Sequence, residues 1–179
     1  MKSFKIIIAF ILLTNALMAQ KYTIADDGSK VTFVIKNFGS KTNGSFTGLT
    51  GVVIFNPKAL TTSTINASIS AATVNTNNNA RDKHLKKSEY FDVEKFTTIT
   101  FVSTKITESS TAGRFFIFGN LTIKGITKAI QFGFSATPNT NGYIFAGDFE
   151  INRRDFGVGG NSISMADKLK VYLNITAKN

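Results

Sequence analysis

The chain has no cysteine and a single histidine, His84, among its 179 residues. The missing cysteines exclude disulfide bonds, thiolate metal sites, catalytic thiols and a lipoprotein anchor, which is attached to a cysteine. A metal site built from imidazoles would need more than one histidine. No G-x-S-x-G elbow, phosphate-binding loop or dinucleotide fingerprint is present either. Because most common catalytic centres are therefore missing, we expect a protein that is not an enzyme and uses no cofactor.

Long apolar runs are missing except at the N-terminus. There, Lys2 and Lys5 precede an apolar run at residues 6–13 that is too short to span a bilayer. This pattern predicts a cleaved secretory signal at residues 1–19. We therefore expect one soluble, exported domain at residues 20–179, with no transmembrane segment after cleavage.

Acidic residues are few. The formal charge of +10 falls to +8 after residue 19, because two of the 21 basic residues and none of the 11 acidic ones precede that point. The remaining lysines are scattered along the chain, and lysines on the outward face of strands discourage edge-to-edge aggregation. We interpret the charge as a contribution to solubility and expect no nucleic-acid partner.

Most of the chain alternates apolar and polar residues at period two, which predicts β-strands. The strands are expected near residues 22–36, 46–56, 62–76, 98–107, 114–123, 126–137, 143–151 and 168–176. Short turns join most of them, and residues 37–45 are predicted to be one such turn, so neighbouring strands should be antiparallel. Long strands, glycines within strands such as Gly48 and Gly51, and a single helix favour a barrel over a sandwich.

One segment departs from the strand pattern. Residues 79–87 contain strong helix formers and no β-branched residue, and three asparagines precede Ala80. Asparagine can accept hydrogen bonds from the free N–H groups at a helix start, and Asp82 favours the positive end of the helix dipole. The fold class is therefore all-β, with about eight strands and one short helix.

Three motifs resemble a known family. RDxHL at residues 81–85, followed by YFD at 90–92 and IxF at 99–101, is similar to a signature of the YceI-like, polyisoprenoid-binding family. GNLTIKGITK at 119–128 resembles its central hairpin, and NRRDFG at 152–157 resembles its late motif. The resemblance implies a lipocalin-like antiparallel barrel in the bacterial periplasm or secreted, which holds a long-chain isoprenoid or acyl lipid in its lumen for transport or storage.

Strand parity then selects candidate lumen residues, since alternate side chains face the same side. The candidates are Phe33, Ile35, Phe101, Phe115, Ile117, Leu121, Phe132, Phe134, Phe145 and Leu173. Phe116 and Phe118 have the opposite parity and predict an exposed patch for a membrane or for a second subunit in a homodimer.

Charged residues from two motifs are candidates for a polar mouth. They are Arg81, Asp82, His84, Arg153 and Asp155. A guanidinium there could hold a polar head group, but a local Arg–Asp pair at a strand end would explain Arg153 equally well. Two other functions stay open: a structural barrel whose lumen is filled by its own rings, and an enzyme that acts on lipid head groups with His84 and a nearby aspartate.

Overall fold

The computed structural model describes residues 20–179, so the predicted signal peptide at residues 1–19 lies outside the described residues. Nine strands, all paired in antiparallel fashion, make up most of the fold. Their bounds are β1 Gln20–Asn37, β2 Ser40–Phe46, β3 Thr50–Phe55, β4 Thr64–Ser70, β5 Thr98–Glu108, β6 Arg114–Ile123, β7 Ile126–Asn139, β8 Gly142–Asn152 and β9 Met165–Lys178.

The sheet closes into a barrel because β1 pairs with β9. The C-terminal half of β1 also pairs with β2, and its first residues pair with β3. β2 and β3 therefore lie one after the other along the same edge of β1 and share one position in the barrel. The nine strands thus fill eight positions around the circumference. The prediction of an antiparallel barrel of about eight strands with one short helix is confirmed.

The short break between β2 and β3 is held by a carboxylate from β1. Asp26 accepts hydrogen bonds from the backbone N–H of Gly48, at 3.0 Å, and of Leu49, at 2.8 Å. Backbone N–H groups that leave a sheet need another acceptor, and Asp26 supplies it. The predicted turn at residues 37–45 is wrong for most of its length, because β2 begins at Ser40 and only Phe38 and Gly39 form the turn.

β1 changes the parity of its inward side chains along its length. Tyr22 and Ile24 are buried in its first part, whereas Phe33 is buried in its second. The pairing with β9 shifts register between Ala25 and Lys30, which marks a bulge. Because a bulge adds an unpaired residue, it lets both halves of β1 face the same core.

The α-helix α1 spans Asn79–Leu85 and ends two residues before the predicted boundary. Its N-cap is Asn78, whose side-chain oxygen accepts from the backbone N–H of Arg81 at 3.0 Å. Beyond Leu85 the chain continues in tight turns, since the N–H of Lys87 donates to the carbonyl of His84 at 3.1 Å. Within residues 20–179, no helix combines the length and apolar character needed to cross a membrane.

The two ends of the barrel differ. At one end, the fully buried Phe55 meets the rings of Phe115, Tyr143 and Phe145 edge to face, each at a centroid distance of 5.3 Å. Aromatic pairs prefer this geometry, so the rings form a dense plug, and we refer to this as the closed end. The opposite end carries α1, the Phe38–Gly39 turn and residues 153–164, and we refer to it as the helix end.

Candidate ligand-binding cavity

The inward face of the barrel is almost wholly apolar. On β8, Phe145, Phe149 and Ile151 alternate inward, and on β9 Leu169 and Val171 do the same. This alternation follows from the period of two in an extended strand. From Phe145 to Ile151, at roughly 3.3 Å per residue, the inward row of β8 runs for about 20 Å. The barrel therefore contains an elongated apolar lumen.

A cavity of about 250 Å³ occupies this lumen. Nine of the ten predicted lumen residues line it: Phe33, Ile35, Phe101, Ile117, Leu121, Phe132, Phe134, Phe145 and Leu173. The tenth, Phe115, lies outside the lining, because its ring packs in the closed-end plug at 5.4 Å from the ring of Phe134. Contact with a ligand stays a prediction for all ten residues.

Several aromatic residues of the lining were not among the predicted ones. Phe149 stacks on Phe132, with ring centroids 4.8 Å apart. It has the same parity as Phe145 on β8, so the alternation could have identified it. Phe46 and Phe91 meet edge to face at 5.5 Å. Phe46 ends β2 and Phe91 lies in the turns after α1, so no periodic pattern pointed to this pair.

Polar residues of the lining gather at the helix end. They include Asn37 and Thr42 beside the Phe38–Gly39 turn, Thr76 and Arg81 around the start of α1, and Arg153 after β8. Because the closed end is blocked by rings, this polar rim marks the side on which an amphiphile could place its head group.

Arg153 is committed to the protein itself. Its side chain is 3% exposed and pairs with Asp167, with Nη2 at 2.9 Å from Oδ1. It also donates to five backbone carbonyls, those of Val158, Gly159, Gly160, Met165 and Ala166. A guanidinium has five N–H donors in a fixed fork, so these acceptors account for them. Arg153 therefore fixes the loop after β8, and its acidic partner is Asp167, not the predicted neighbour Asp155.

Arg81 is held in a smaller network. Its Nε donates to the hydroxyl of Thr76 at 2.7 Å, and its Nη2 donates to the carbonyl of the same residue at 2.8 Å. Asp82 accepts from the backbone N–H of Thr76 at 2.9 Å and from its hydroxyl. Within residues 20–179, no protein atom accepts a hydrogen bond from Nη1 of Arg81. Of the two arginines that line the cavity, Arg81 is therefore the one with N–H donors that could bind a ligand.

The remaining polar candidates lie outside the cavity lining. His84 is exposed, with Nε2 at 3.3 Å from Oε2 of Glu89, and its ring meets Tyr90 edge to face at 5.0 Å. Asp82 faces Thr76 rather than His84, so the proposed His–Asp dyad with Asp82 is not formed. Asp155 is exposed in the 3-10 helix Arg153–Phe156.

The outward rings of β6 have local partners on the barrel wall. Phe116 lies 3.7 Å from where a Cβ of Gly133 would be, and Gly133 is its cross-strand partner. Phe118 has the Lys105 ammonium 6.0 Å from its ring centroid. Phe116 is nevertheless 47% exposed, whereas Phe118 is half-buried, and contact of this face with a membrane or a second subunit stays a prediction.

Comparison with known proteins places this barrel among its relatives. A family model described as the YceI-like domain matches residues 22–177. The chain belongs to the YceI-like family. A UPF0312 protein of Yersinia enterocolitica is 30% identical over 173 residues, which cover 88% of each chain.

Two solved structures share the fold of this YceI-like chain. BcnA of Burkholderia cenocepacia superposes with a TM-score of 0.81 at 22% identity, covering 87% of this chain and 99% of that one. A domain from Saccharophagus degradans, described as polyisoprenoid binding and implicated in plant cell wall breakdown, has a TM-score of 0.70 at 13% identity. It covers 88% of this chain and 97% of that chain. At these identities the likeness establishes the barrel fold.

The structure explains two glycines of the YceI-like central hairpin. A Cβ on Gly119 would lie 2.4 Å from Cζ of Phe101, so only glycine lets that ring lie against β6. Gly125 follows Lys124 in a two-residue turn in which both residues have positive φ, 51° and 73°. This is the conformation that a tight hairpin requires.

Proposed function

We propose that this YceI-like protein binds a long-chain amphiphile, an isoprenoid or acyl lipid, with its tail in the cavity and its head group at the helix end. The observation that carries the proposal is an elongated apolar cavity, blocked at one end by the Phe55 cluster and rimmed with polar residues at the other. The description of the Saccharophagus degradans domain supports the same ligand class.

The energetics favour a hydrocarbon tail. Each CH₂ moved from water into an apolar lumen contributes about 0.8 kcal/mol, so a chain of about fifteen carbons gains about 12 kcal/mol before the cost of ordering it. Arg81 supplies a cation and a spare donor for an anionic or strongly polar head group. Arg153 cannot do so without releasing its loop.

We place this function outside the cytoplasm of a bacterium, in the periplasm or secreted. Residues 1–19 have the pattern of a secretory signal. A lipid with a long tail does not cross an aqueous compartment unless its tail is shielded from water. A protein that encloses the tail can therefore transport or store the lipid. Binding, rather than catalysis, is the role of the site.

Lipid uptake by a blocked cavity tests this proposal. Val171 faces the lumen from β9, so Val171→Trp places an indole in the cavity. We expect at least a tenfold loss of affinity for an added prenyl alcohol or fatty acid, measured by displacement of a fluorescent acyl probe. Asn174→Trp puts the same side chain on the exposed face of the same strand and should bind like the wild type.

The purified protein should also release lipid into organic solvent, identified by mass spectrometry. A clean extract from several preparations, together with no uptake of prenyl or acyl chains, would favour a structural barrel filled by its own rings. Equal uptake by the two tryptophan variants would place the lipid outside the lumen. His84→Gln tests the enzyme alternative, since lost lipid turnover with retained binding would favour catalysis.

A further inference from the structure

We infer that the β1–β2 turn and the neighbouring loop before β9 form a docking surface for a bilayer that contains anionic lipid. This surface consists of Phe38, Ile163, Lys36 and Lys41, and we refer to it as the rim patch. It lies outside the cavity lining and goes beyond the proposed function, because a barrel that held no lipid could still dock through it.

The two apolar members of the rim patch come from segments that a backbone hydrogen bond joins. Phe38 is 81% exposed and Ile163 is fully exposed. The backbone N–H of Phe38 donates to the carbonyl of Ser164 at 2.7 Å, which joins the turn to the loop. Single exposed apolar residues are common on protein surfaces. Here two of them project from adjoining segments at one end of a barrel.

Phe38 is also a poor choice for the turn that it occupies. Phe38 and Gly39 both have positive φ, 47° and 74°, as a tight two-residue hairpin requires. Asparagine or aspartate normally fills the first of these positions, and a bulky side chain there is strained. Burial of the ring does not offset this strain, because the ring remains exposed. The conformational preference of the turn therefore does not explain phenylalanine here.

The lysines behind the turn are likewise unfavourable for the hairpin. Lys36 and Lys41 are exposed and directly opposite one another in the β1–β2 register. Like charges at such positions repel. Among residues 20–179, neither lysine belongs to an ion pair. Local rules tend to be broken where a sequence serves a function, and a negatively charged surface would turn the repulsion into attraction.

The rim patch lies beside the cavity opening, so docking there would bring the opening close to the bilayer. Asn37 and Met165, which flank the joined segments, both line the cavity. Two exposed apolar side chains backed by cations are the features with which proteins enter the head-group region of a bilayer. Since residues 20–179 carry a net charge of +8, the rest of the molecule adds to this attraction.

Vesicle flotation tests the inference with the processed protein, its N-terminus checked by intact mass. We expect binding to phosphatidylcholine vesicles that contain phosphatidylglycerol, weaker binding without that lipid, and release by salt. Phe38→Asn and Ile163→Ser should each weaken binding about tenfold. Lys36→Gln and Lys41→Gln should each weaken it about fivefold on anionic vesicles only.

Matched controls separate docking from folding. Val102→Ser removes an apolar side chain that is 48% exposed on the barrel wall, and Lys58→Gln removes a lysine near the closed end, so both should bind like the wild type. Asparagine suits the left-handed turn, so Phe38→Asn should keep or raise the melting temperature while docking falls. This opposite movement is not expected of a merely structural residue.

Three results would overturn the inference. One is binding that the rim-patch variants leave unchanged, and another is binding that Val102→Ser and Lys58→Gln weaken equally. The third is a dimer in sedimentation that Phe38→Asn converts to monomer, which would make the patch an interface between two copies. Loss of cavity uptake in Val171→Trp with normal flotation would affect the proposed function alone.

Discussion

Replacing Arg153 by glutamine should destabilise the barrel severely. The guanidinium is 3% exposed and serves five backbone carbonyls and Asp167. A glutamine amide has two N–H donors on a shorter side chain, so at least four of these six acceptors lose their partner. Each buried acceptor left unpaired costs about 1–3 kcal/mol, and the bonds to Val158 and Gly159 are the fully buried ones. Water can reach Asp167, which is 40% exposed, so the lost ion pair adds little. We expect a loss of about 3–5 kcal/mol in the free energy of unfolding.

Arg154 provides a matched control on the same carboxylate. Its Nη1 lies 3.2 Å from Oδ2 of Asp167, but its side chain is 48% exposed. Exposed ion pairs contribute about 0–1 kcal/mol, so Arg154→Gln should change stability by no more than that.

Urea unfolding of both variants measures the difference, and hydrogen exchange should show faster opening of the loop at residues 157–164 in the Arg153 variant alone. The scaffold role would be refuted if both variants lost less than about 1 kcal/mol. If the Arg153→Gln protein is stable but takes up less lipid, Arg153 binds the head group instead of supporting the loop.

Two further predictions concern the barrel itself. Gly119→Ala should cost about 1–3 kcal/mol, because its Cβ would overlap the Phe101 ring, whereas Gly160→Ala meets no atom within 4 Å and should be nearly neutral in thermal unfolding; equal effects would contradict this. Burial, with Tyr143 adding to it, raises the pKa of Tyr22. The folded state then holds this proton more tightly, so its contribution to stability is complete below the unfolded pKa of about 10 and is lost as the pH rises through the folded pKa. Tyr22→Phe should flatten this alkaline decline in urea unfolding, and an unchanged slope would refute the link.

Period-two alternation was enough to predict most of the strands. β6, at Arg114–Ile123, has the predicted bounds because its inward and outward residues alternate without interruption. β2 escaped prediction since its first residues, Ser40–Gly44, are polar or small and resemble a turn. Pairing with β1 overrides that preference, and the ring of Phe33 lies where a Cβ of Gly44 would be.

The lining could be predicted only where strand parity holds. The bulge in β1 reverses the parity of the inward side chains between Ile24 and Val31. No pattern in the sequence predicts how many residues this register shift spans. The role of Arg153 was equally hidden, because its partner Asp167 lies fourteen residues away along the chain. Such a contact depends on how β8 and the loop before β9 fold back together, which the local sequence does not encode.

A crystal structure of the protein with a long-chain prenyl alcohol or fatty acid tests the central claim most directly. We predict continuous density for one tail in the lumen, from the Phe55 cluster past Phe132 and Phe149, with the head group within hydrogen-bonding distance of Arg81. A lumen closed by its own side chains, with the lipid on the outer wall or absent at saturating concentration, would contradict the account.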